Sequence, residues 1–211
     1  MKTEQLIDAL VADRSAGRRP ISAALVLALA FGGAVSLVLF LVDFGVRADI
    51  GPALATWRFD LKIGMVLVAL VVTFALCLEC ARPDASTSSA RRLLPLGVLA
   101  IAAVAIELAI VPRSTWGTRL IGTNALVCLL TIPSLSIGPL AAVLAILRRG
   151  APASPALAGA SAGLLAAACG AALYAFHCFD DSPLFVVTWY SVATIPIVLV
   201  GALVGRRLLR W

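Results

Sequence analysis

The sequence predicts an all-α polytopic protein that crosses a membrane with six helices. Hydrophobic residues make up 62% of the 211 residues and charged residues only 13%, and the mean hydropathy is +1.05. An average soluble domain carries about 25% charged residues and about 45–50% apolar ones, so a water-soluble core of this length could not bury so much apolar surface. The apolar residues also occur in runs of about 20, the length that a helix needs to span a bilayer.

Six apolar runs meet this length, and short connections join them. They are residues 21–42, 61–80, 93–111, 120–147, 155–176 and 184–208. The fourth run contains Pro133, Gly138 and Pro139. Proline inside a helix removes a backbone donor and clashes with the preceding turn, so we predict a kink or break in this run. The chain then divides into an N-terminal segment, 1–20, and a transmembrane domain, 21–211.

Lys and Arg residues are distributed unevenly between the two ends of the predicted helices. Twelve lie at the end that holds both termini: Lys2, Arg14, Arg18, Arg19, Arg82, Arg91, Arg92, Arg148, Arg149, Arg206, Arg207 and Arg210. Five lie at the other end: Arg47, Arg58, Lys62, Arg113 and Arg119. Cytoplasmic loops carry an excess of Lys and Arg, so both termini are predicted to be cytoplasmic. Because these residues occur singly or in pairs at helix ends, they indicate contacts with lipid head groups rather than direct nucleic-acid binding.

The N-terminal segment is the only soluble part of any size, and it begins with a predicted short amphipathic helix. One face of this helix is apolar and consists of Leu6, Ile7, Leu10 and Val11. A helix of about three turns is not stable alone in water, so this face is predicted to bind a partner. Helices that lie on membranes usually carry Lys and Arg on their polar face, whereas Glu4 and Asp8 are acidic. We therefore favour a protein partner with an apolar groove and a basic rim.

The connection between the fifth and sixth runs gathers the most unusual polar residues. His177 is the only histidine in the chain, and Cys178, Asp180 and Asp181 follow it closely. Ionisable groups are costly to keep near a bilayer, so such a cluster indicates a function. The alternative interpretation is a polar loop that only ends a helix. This connection holds no Lys or Arg and is predicted to lie on the outer side.

Two cysteines are the candidates for chemistry at this outer side. Cys178 is predicted at the outer surface, and Cys128 about 12 Å deep in the fourth run if that helix is regular. A disulfide requires Cα atoms within about 7 Å, so direct bonding is compatible with the sequence but not implied by it. A soft-metal site of Cys128, His177 and Cys178 is a second interpretation, because thiolates and imidazole suit Cu(I) or Zn. In a third, Cys128 is only a small buried hydrophobic residue.

Helix packing can also be predicted from the spacing of glycines. Gly159 and Gly163 in the fifth run, like Gly201 and Gly205 in the sixth, are four residues apart. This spacing lets helix backbones approach closely, and packing within one bundle is favoured over a homodimer contact.

Two acidic residues are predicted to form structural ion pairs. Glu107 is expected to pair with Lys62 or Arg119, and Glu79 with Arg82. One buried acid is weak evidence for a proton pump. Sequence motifs of metalloproteases, serine hydrolases and P-loop or dinucleotide-binding enzymes are absent, so no enzyme is predicted.

The chain resembles the NrsF-type multi-pass anti-sigma factors of Gram-negative bacteria over nearly its whole length. The segments that carry the resemblance are 6–10, Cys128 with Ile132 and Pro133, 148–152, 155–159, 177–185 with Trp189 and Tyr190, and 206–211. The resemblance implies that the protein holds an extracytoplasmic-function sigma factor at the inner membrane and releases it on redox or heavy-metal envelope stress. It also implies that Cys128 and Cys178 are the family's paired cysteines.

These expectations give each candidate residue a role. The predicted sigma-binding residues are Leu6, Ile7, Asp8, Leu10 and Val11. The predicted sensing residues are Cys128, His177, Cys178, Asp180 and Asp181, with a transiently bound soft metal ion as the only cofactor considered. Membrane lipids are expected partners, and a homodimer remains an alternative to a monomer.

Two other functions remain open. A membrane thiol oxidoreductase would need pairs of outward cysteines and a quinone site, but only Cys178 is predicted to be outward. A small metal transporter would need polar groups at mid-bilayer, and these are scarce in the sequence.

Overall fold

The computed structural model describes residues 3, 5, 20–84 and 87–210, without the side chains of residues 87–89. Within these residues the regular structure is helical, and no strand occurs. Six helices in this part of the chain are long and apolar enough to span a membrane, which confirms the predicted fold class. The predicted sigma-binding residues, Leu6, Ile7, Asp8, Leu10 and Val11, lie outside the described residues.

The six spanning helices are numbered α1–α6 in chain order. They are α1 (Ile21–Asp43), α2 (Trp57–Cys80), α3 (Leu94–Ile110), α4 (Ala125–Leu147), α5 (Pro155–Tyr174) and α6 (Pro183–Leu208). Five of them match the predicted runs closely. The largest difference among these five is in α2, which begins at Trp57 because the Thr56 side chain caps it by accepting a hydrogen bond from the Phe59 amide, 3.4 Å away.

The fourth helix is shorter than predicted. The short helix Trp116–Ile121 ends at Gly122, whose φ of 59° is a left-handed conformation that favours glycine. The α4 helix begins after it, at Ala125, so the prediction of one helix from residue 120 was wrong.

A kink or break was predicted at Pro133–Pro139, and the break does not occur, because α4 continues through both prolines as one helix. Pro139 has no N–H to donate to the carbonyl of Leu135, four residues earlier. The hydroxyl of Ser36 in α1 donates to this carbonyl instead, at 2.6 Å, and both groups are buried. A hydrogen bond from a neighbouring helix therefore compensates for the missing backbone donor, as is usual for proline in membrane helices.

Helix α5 lies at the centre of the bundle and packs against α6, α4 and α2. Its contact with α6 uses glycine: a Cβ atom added at Gly163 would lie 2.6 Å from the Ile197 carbonyl oxygen, and one at Gly205 would lie 2.7 Å from the Gly159 Cα. The predicted glycine spacing therefore serves packing within the chain, and these surfaces are not free to form a dimer. Helix α3 is the least buried of the six and lies at the edge of the bundle.

The helices alternate in direction, which separates two ends of the bundle. The terminal end holds the start of α1 and the α4–α5 connection: the Ala153 amide donates to the Arg82 carbonyl, and Leu209 shares a buried cluster with Leu25 and Leu147. We call the opposite end, with the α5–α6 connection, the Cys178 end. Large apolar side chains such as Phe31 and Ile101 are exposed between the two ends, where lipid would cover them.

Candidate functional site

The loop 175–182, which joins α5 to α6, forms the centre of the Cys178 end. Cys178 lies at a helix end and is fully buried, so its thiol is not exposed, and its predicted place at the outer side of the membrane stays a prediction. Its backbone carbonyl accepts hydrogen bonds from two cations, Lys62 Nζ at 2.8 Å and Arg47 Nη1 at 3.1 Å. Because Arg47 follows α1 and Lys62 belongs to α2, the loop is attached to the first two helices.

Asp181 binds the same two cations through its side chain. Arg47 Nη1 lies 2.9 Å from Asp181 Oδ2, and Lys62 Nζ forms an ion pair with Asp181 Oδ1. We call Arg47, Lys62 and Asp181 the clamp. The Lys62 side chain has no exposed surface, and a buried cation is tolerated only where it is paired and hydrogen-bonded. The clamp therefore fixes the loop 175–182 to the interior of the bundle.

Asp49 completes the charge balance of the clamp at its exposed rim. Its carboxylate lies 2.7 Å from Arg47 Nε, and its side chain is 46% exposed. Hydrogen bonding to Asp49, and then to Asp181, raises the pKa of Arg47 above its usual value against the opposing effect of burial. The same hydrogen bond to Arg47 lowers the pKa of Asp49. Arg47 is therefore permanently charged and shared between the two carboxylates.

Asp180, the next residue, binds a different helix. Its Oδ2 atom accepts hydrogen bonds from the Asn124 amide at 2.9 Å, the Thr123 amide at 3.0 Å and Asn124 Nδ2 at 3.0 Å. These donors lie at the start of α4, which has no side-chain cap from its own N-cap residue. A carboxylate satisfies the free amides of a helix N-terminus and is favoured by its dipole. Asp180 therefore caps α4 from the α5–α6 loop.

Cys128 lies in the first turn of α4, directly below this cap. It is three residues after Ala125, about 4.5 Å along the helix, so the predicted depth of about 12 Å was wrong. It is fully buried and belongs to the same core cluster as Cys178, and both thiols are free. Burial raises the pKa of the Cys178 thiol, and the Lys62 ammonium acts in the opposite direction. The two predicted sensing cysteines therefore lie in one closed apolar cluster.

The same cluster contains both tyrosines of the chain, Tyr174 and Tyr190, whose ring centroids are 6.0 Å apart. Their hydroxyls are buried, and the side chain of Cys178 interacts with both of them. Tyr190 ends a π-helical turn of α6, Val186–Tyr190, a feature that often occurs at functional sites. Sequence reasoning did not single out Tyr174. The available signal was that the only two tyrosines flank the loop with the only histidine.

His177 is directed towards the end of α1. Its Nδ1 atom lies 3.0 Å from the Gly45 carbonyl oxygen, and its ring contacts the rings of Phe40, Phe44 and Tyr174. Among residues 20–84 and 87–210, no three His, Cys, Asp or Glu side chains form a group that could hold a metal ion. A metal site of Cys128, His177 and Cys178 therefore stays a prediction.

A buried acid in α3 joins α2 and α3 to this end. Glu107 is fully buried and pairs with Arg119 at 2.9 Å and Arg58 at 3.1 Å, and the Ser182 hydroxyl lies 3.3 Å away. The predicted pairing with Arg119 is confirmed, whereas Lys62, the other predicted partner, belongs to the clamp.

Glu79, at the terminal end, was predicted to pair with Arg82. The structure shows its ion pair with Arg92.

Comparisons with known proteins agree over the whole chain. A family model described as "Negative regulator of sigma F" (NrsF) matches residues 10–211. The chain is 36% identical over 216 residues to the "Probable anti-sigma-F factor NrsF" of Azospira oryzae, with 100% of both chains covered. It is 32% identical over 222 residues to the "Anti-sigma-F factor NrsF" of Caulobacter vibrioides, also with 100% of both covered. No solved structure matches the chain.

Proposed function

We propose that this chain, which belongs to the NrsF family of negative regulators of sigma F, holds an extracytoplasmic-function sigma factor at the bacterial inner membrane. The observation that carries the proposal is the family match along the full length of a chain with six spanning helices. In this function the protein is a regulator and not an enzyme. Release of the sigma factor would follow a chemical change at Cys128 and Cys178.

Charge distribution supports an orientation with both termini in the cytoplasm. Four of the five cations at the Cys178 end are paired with carboxylates, namely Arg47, Arg58, Lys62 and Arg119. At the terminal end, the described residues form one ion pair, between Arg92 and Glu79. Positive charge without a paired acid is therefore concentrated at the terminal end, which is the pattern of a cytoplasmic face. The Cys178 end would then face the periplasm.

The N-terminal segment is the proposed sigma-binding element. It precedes α1, whose first residue, Ile21, lies at the terminal end with the basic loops. Its apolar residues, Leu6, Ile7, Leu10 and Val11, would lie in a groove of the sigma factor, and Asp8 would face the basic rim of that groove.

The surroundings of the two thiols support a sensor based on thiol oxidation. Cys128 and Cys178 share one buried cluster, whereas His177 is engaged with the Gly45 carbonyl. The loop that carries Cys178 also caps α4 and binds the cations of the first two helices. A disulfide between the two cysteines would change the position of this loop and so affect several helices at once. A switch of this kind needs a local chemical change and an element with two arrangements.

Purification of the full-length protein from native membranes tests the function. We expect a cytoplasmic sigma factor to co-purify and to be identified by mass spectrometry, and we expect treatment of the membranes with hydrogen peroxide to reduce its recovery. A preparation of the Cys128→Ser/Cys178→Ser variant is the matched control and should keep the sigma factor after peroxide. Absence of any sigma factor from untreated preparations would contradict the proposed function.

A further inference from the structure

We propose that Arg47 and Lys62 are positioning residues that keep the Cys128–Cys178 thiol pair closed to reagents, and that loss of their contacts with Asp181 opens it. The inference rests on the proposed function for its biological meaning, because it assumes that these thiols are the sensor. Its physical content concerns access to the thiols and does not depend on a sigma factor.

Two cations hold the backbone of Cys178 in place. Its carbonyl accepts hydrogen bonds from Lys62 and Arg47, at 2.8 and 3.1 Å, and the same two cations bind the side chain of Asp181. Two contacts three residues apart therefore fix the segment between them. The segment also contains Asp180, so the cap on α4 depends on the same loop conformation.

One of these cations, Lys62, is completely buried. The Lys62 side chain is fully buried, and Asp181 is the only carboxylate among the described residues that forms an ion pair with it. Removing one partner of a buried ion pair leaves an uncompensated charge, which is strongly unfavourable unless water reaches it. Because the loop 175–182 covers Lys62 at the end of the bundle, we expect water to enter by displacing this loop.

The two thiols are shielded from solvent. Cys128 and Cys178 have no exposed surface, and buried cysteines react slowly because reagents cannot reach them. Their rate of modification is then set by how often the loop opens. Since the clamp holds the loop, the clamp sets this rate.

Alkylation of the full-length protein in native membranes tests the proposal. N-ethylmaleimide is the probe, and mass spectrometry quantifies the modification of each cysteine separately. We expect Asp181→Asn to increase the alkylation rate of Cys178 and Cys128 by at least about tenfold. Asp49→Asn is the matched control because Asp49 binds the same Arg47 but not the loop, and we expect it to change the rate by less than about twofold. Cys77 reports on the fold, since it is fully buried at the terminal end.

A second variant keeps the test valid if the Asp181→Asn protein fails to fold. The double variant Lys62→Met/Asp181→Asn also removes the ion pair between Lys62 and Asp181 but leaves no unpaired buried charge, because Arg47 keeps its ion pair with Asp49. It should expose Cys178 while Cys77 stays protected. An increase at Cys178 that is no greater than the increase at Cys77, in both variants, overturns the proposal.

The proposed function and the clamp can fail separately. If Asp181→Asn exposes the thiols but serine variants of Cys128 and Cys178 respond to stress normally, the sensor is wrong and the clamp stands. If the serine variants lose the response but Asp181→Asn leaves the thiols protected, the clamp is wrong and the sensor stands.

Discussion

Asp180 and Asp181 are adjacent in the chain, yet their carboxylates bind different helices of the bundle. Asp180 accepts hydrogen bonds from residues 123 and 124 at the start of α4, whereas Asp181 binds the cations that follow α1 and lie in α2. Cys178, two residues before Asp180, therefore belongs to a loop that holds these helices together at one end.

Replacing Asp180 with alanine should destabilise the protein by about 1–2 kcal/mol, because the free amides of α4 lose their acceptor. Thermal unfolding of the purified protein in detergent would measure this effect. Asp43→Ala is a suitable control, since Asp43 is exposed and forms no ion pair within the described residues. Equal stability of the two variants would show that the cap contributes little.

Gly163→Ala should cost about 1–3 kcal/mol of stability, because the new Cβ would lie 2.6 Å from the Ile197 carbonyl oxygen in the contact between α5 and α6. Gly64→Ala in α2 is the matched control, since nothing lies within 4 Å of its Cβ position. Alanine is the better helix former, so Gly64→Ala should leave stability unchanged or raise it by up to about 1 kcal/mol. The two unfolding midpoints should therefore move in opposite directions, and equal shifts would contradict the packing described.

Serine at Cys128 or Cys178 should alter the stress response while the protein still inserts in the membrane. Each substitution removes one partner of the proposed thiol pair. A reporter gene transcribed by the sigma factor, measured after exposure to peroxide or to a soft metal, would show the change. Cys169→Ser should respond like the wild type because Cys169 is not in the Cys128–Cys178 cluster.

His177→Ala separates two forms of this sensor. The substitution should matter if Cys128, His177 and Cys178 bind a metal, and much less if the two thiols form a disulfide. A double variant of Cys128 and Cys178 that responds to every inducer like the wild type would exclude a thiol sensor.

Leu10→Asp should weaken binding of the sigma factor by at least about tenfold, because a buried leucine contributes about 1.5–3 kcal/mol and the substitution would also bury a charge. A pull-down at equal membrane levels of the two proteins would measure it. Asp8→Asn is the control: a rim charge affects association more than affinity, so recovery should fall much less. Equal recovery with Leu10→Asp and the wild type would place the contact elsewhere, most simply in the loop between Arg82 and Arg92.

Reporter fusions should give a cytoplasmic signal after Gly17, Ala85, Gly150 and Trp211, and a periplasmic signal near Asp181. The excess of Lys and Arg at the terminal end is the physical reason. A periplasmic signal at Trp211 combined with a cytoplasmic signal at Gly17 would contradict six spans.

Hydropathy and spacing were sufficient to predict the spans and the use of glycine between α5 and α6. They work because the bilayer fixes the length of a span and because close helix contacts exclude side chains. The start of α4 and its continuity through Pro139 were harder to predict. The start depends on the left-handed conformation of Gly122, and the continuity depends on the hydrogen bond from Ser36 to the Leu135 carbonyl.

The sequence predicted which residues form the loop of the site, but it did not predict how they are arranged in space. Its loop could be found because His177, Cys178, Asp180 and Asp181 are adjacent in the sequence. The ion pair between Lys62 and Asp181 joins residues far apart in the chain, and composition does not say which helices are neighbours. For the same reason, the sequence suggested Lys62 as a partner of Glu107. The absence of Lys and Arg assigned the Cys178 loop to the outer side, but it gave no sign that the Cys178 side chain is buried.

The glycine contacts between α5 and α6 have a mechanical consequence. Because backbone lies on backbone from Gly159 to Gly163, no layer of flexible side chains separates these helices. We therefore expect the two helices to move as one unit, with the loop 175–182 at one end and Arg206 and Arg207 at the other. A displacement of the loop would then tilt both helices together and so move Arg206 and Arg207. The packing of α5 against α4 and α2 would set the direction of this tilt.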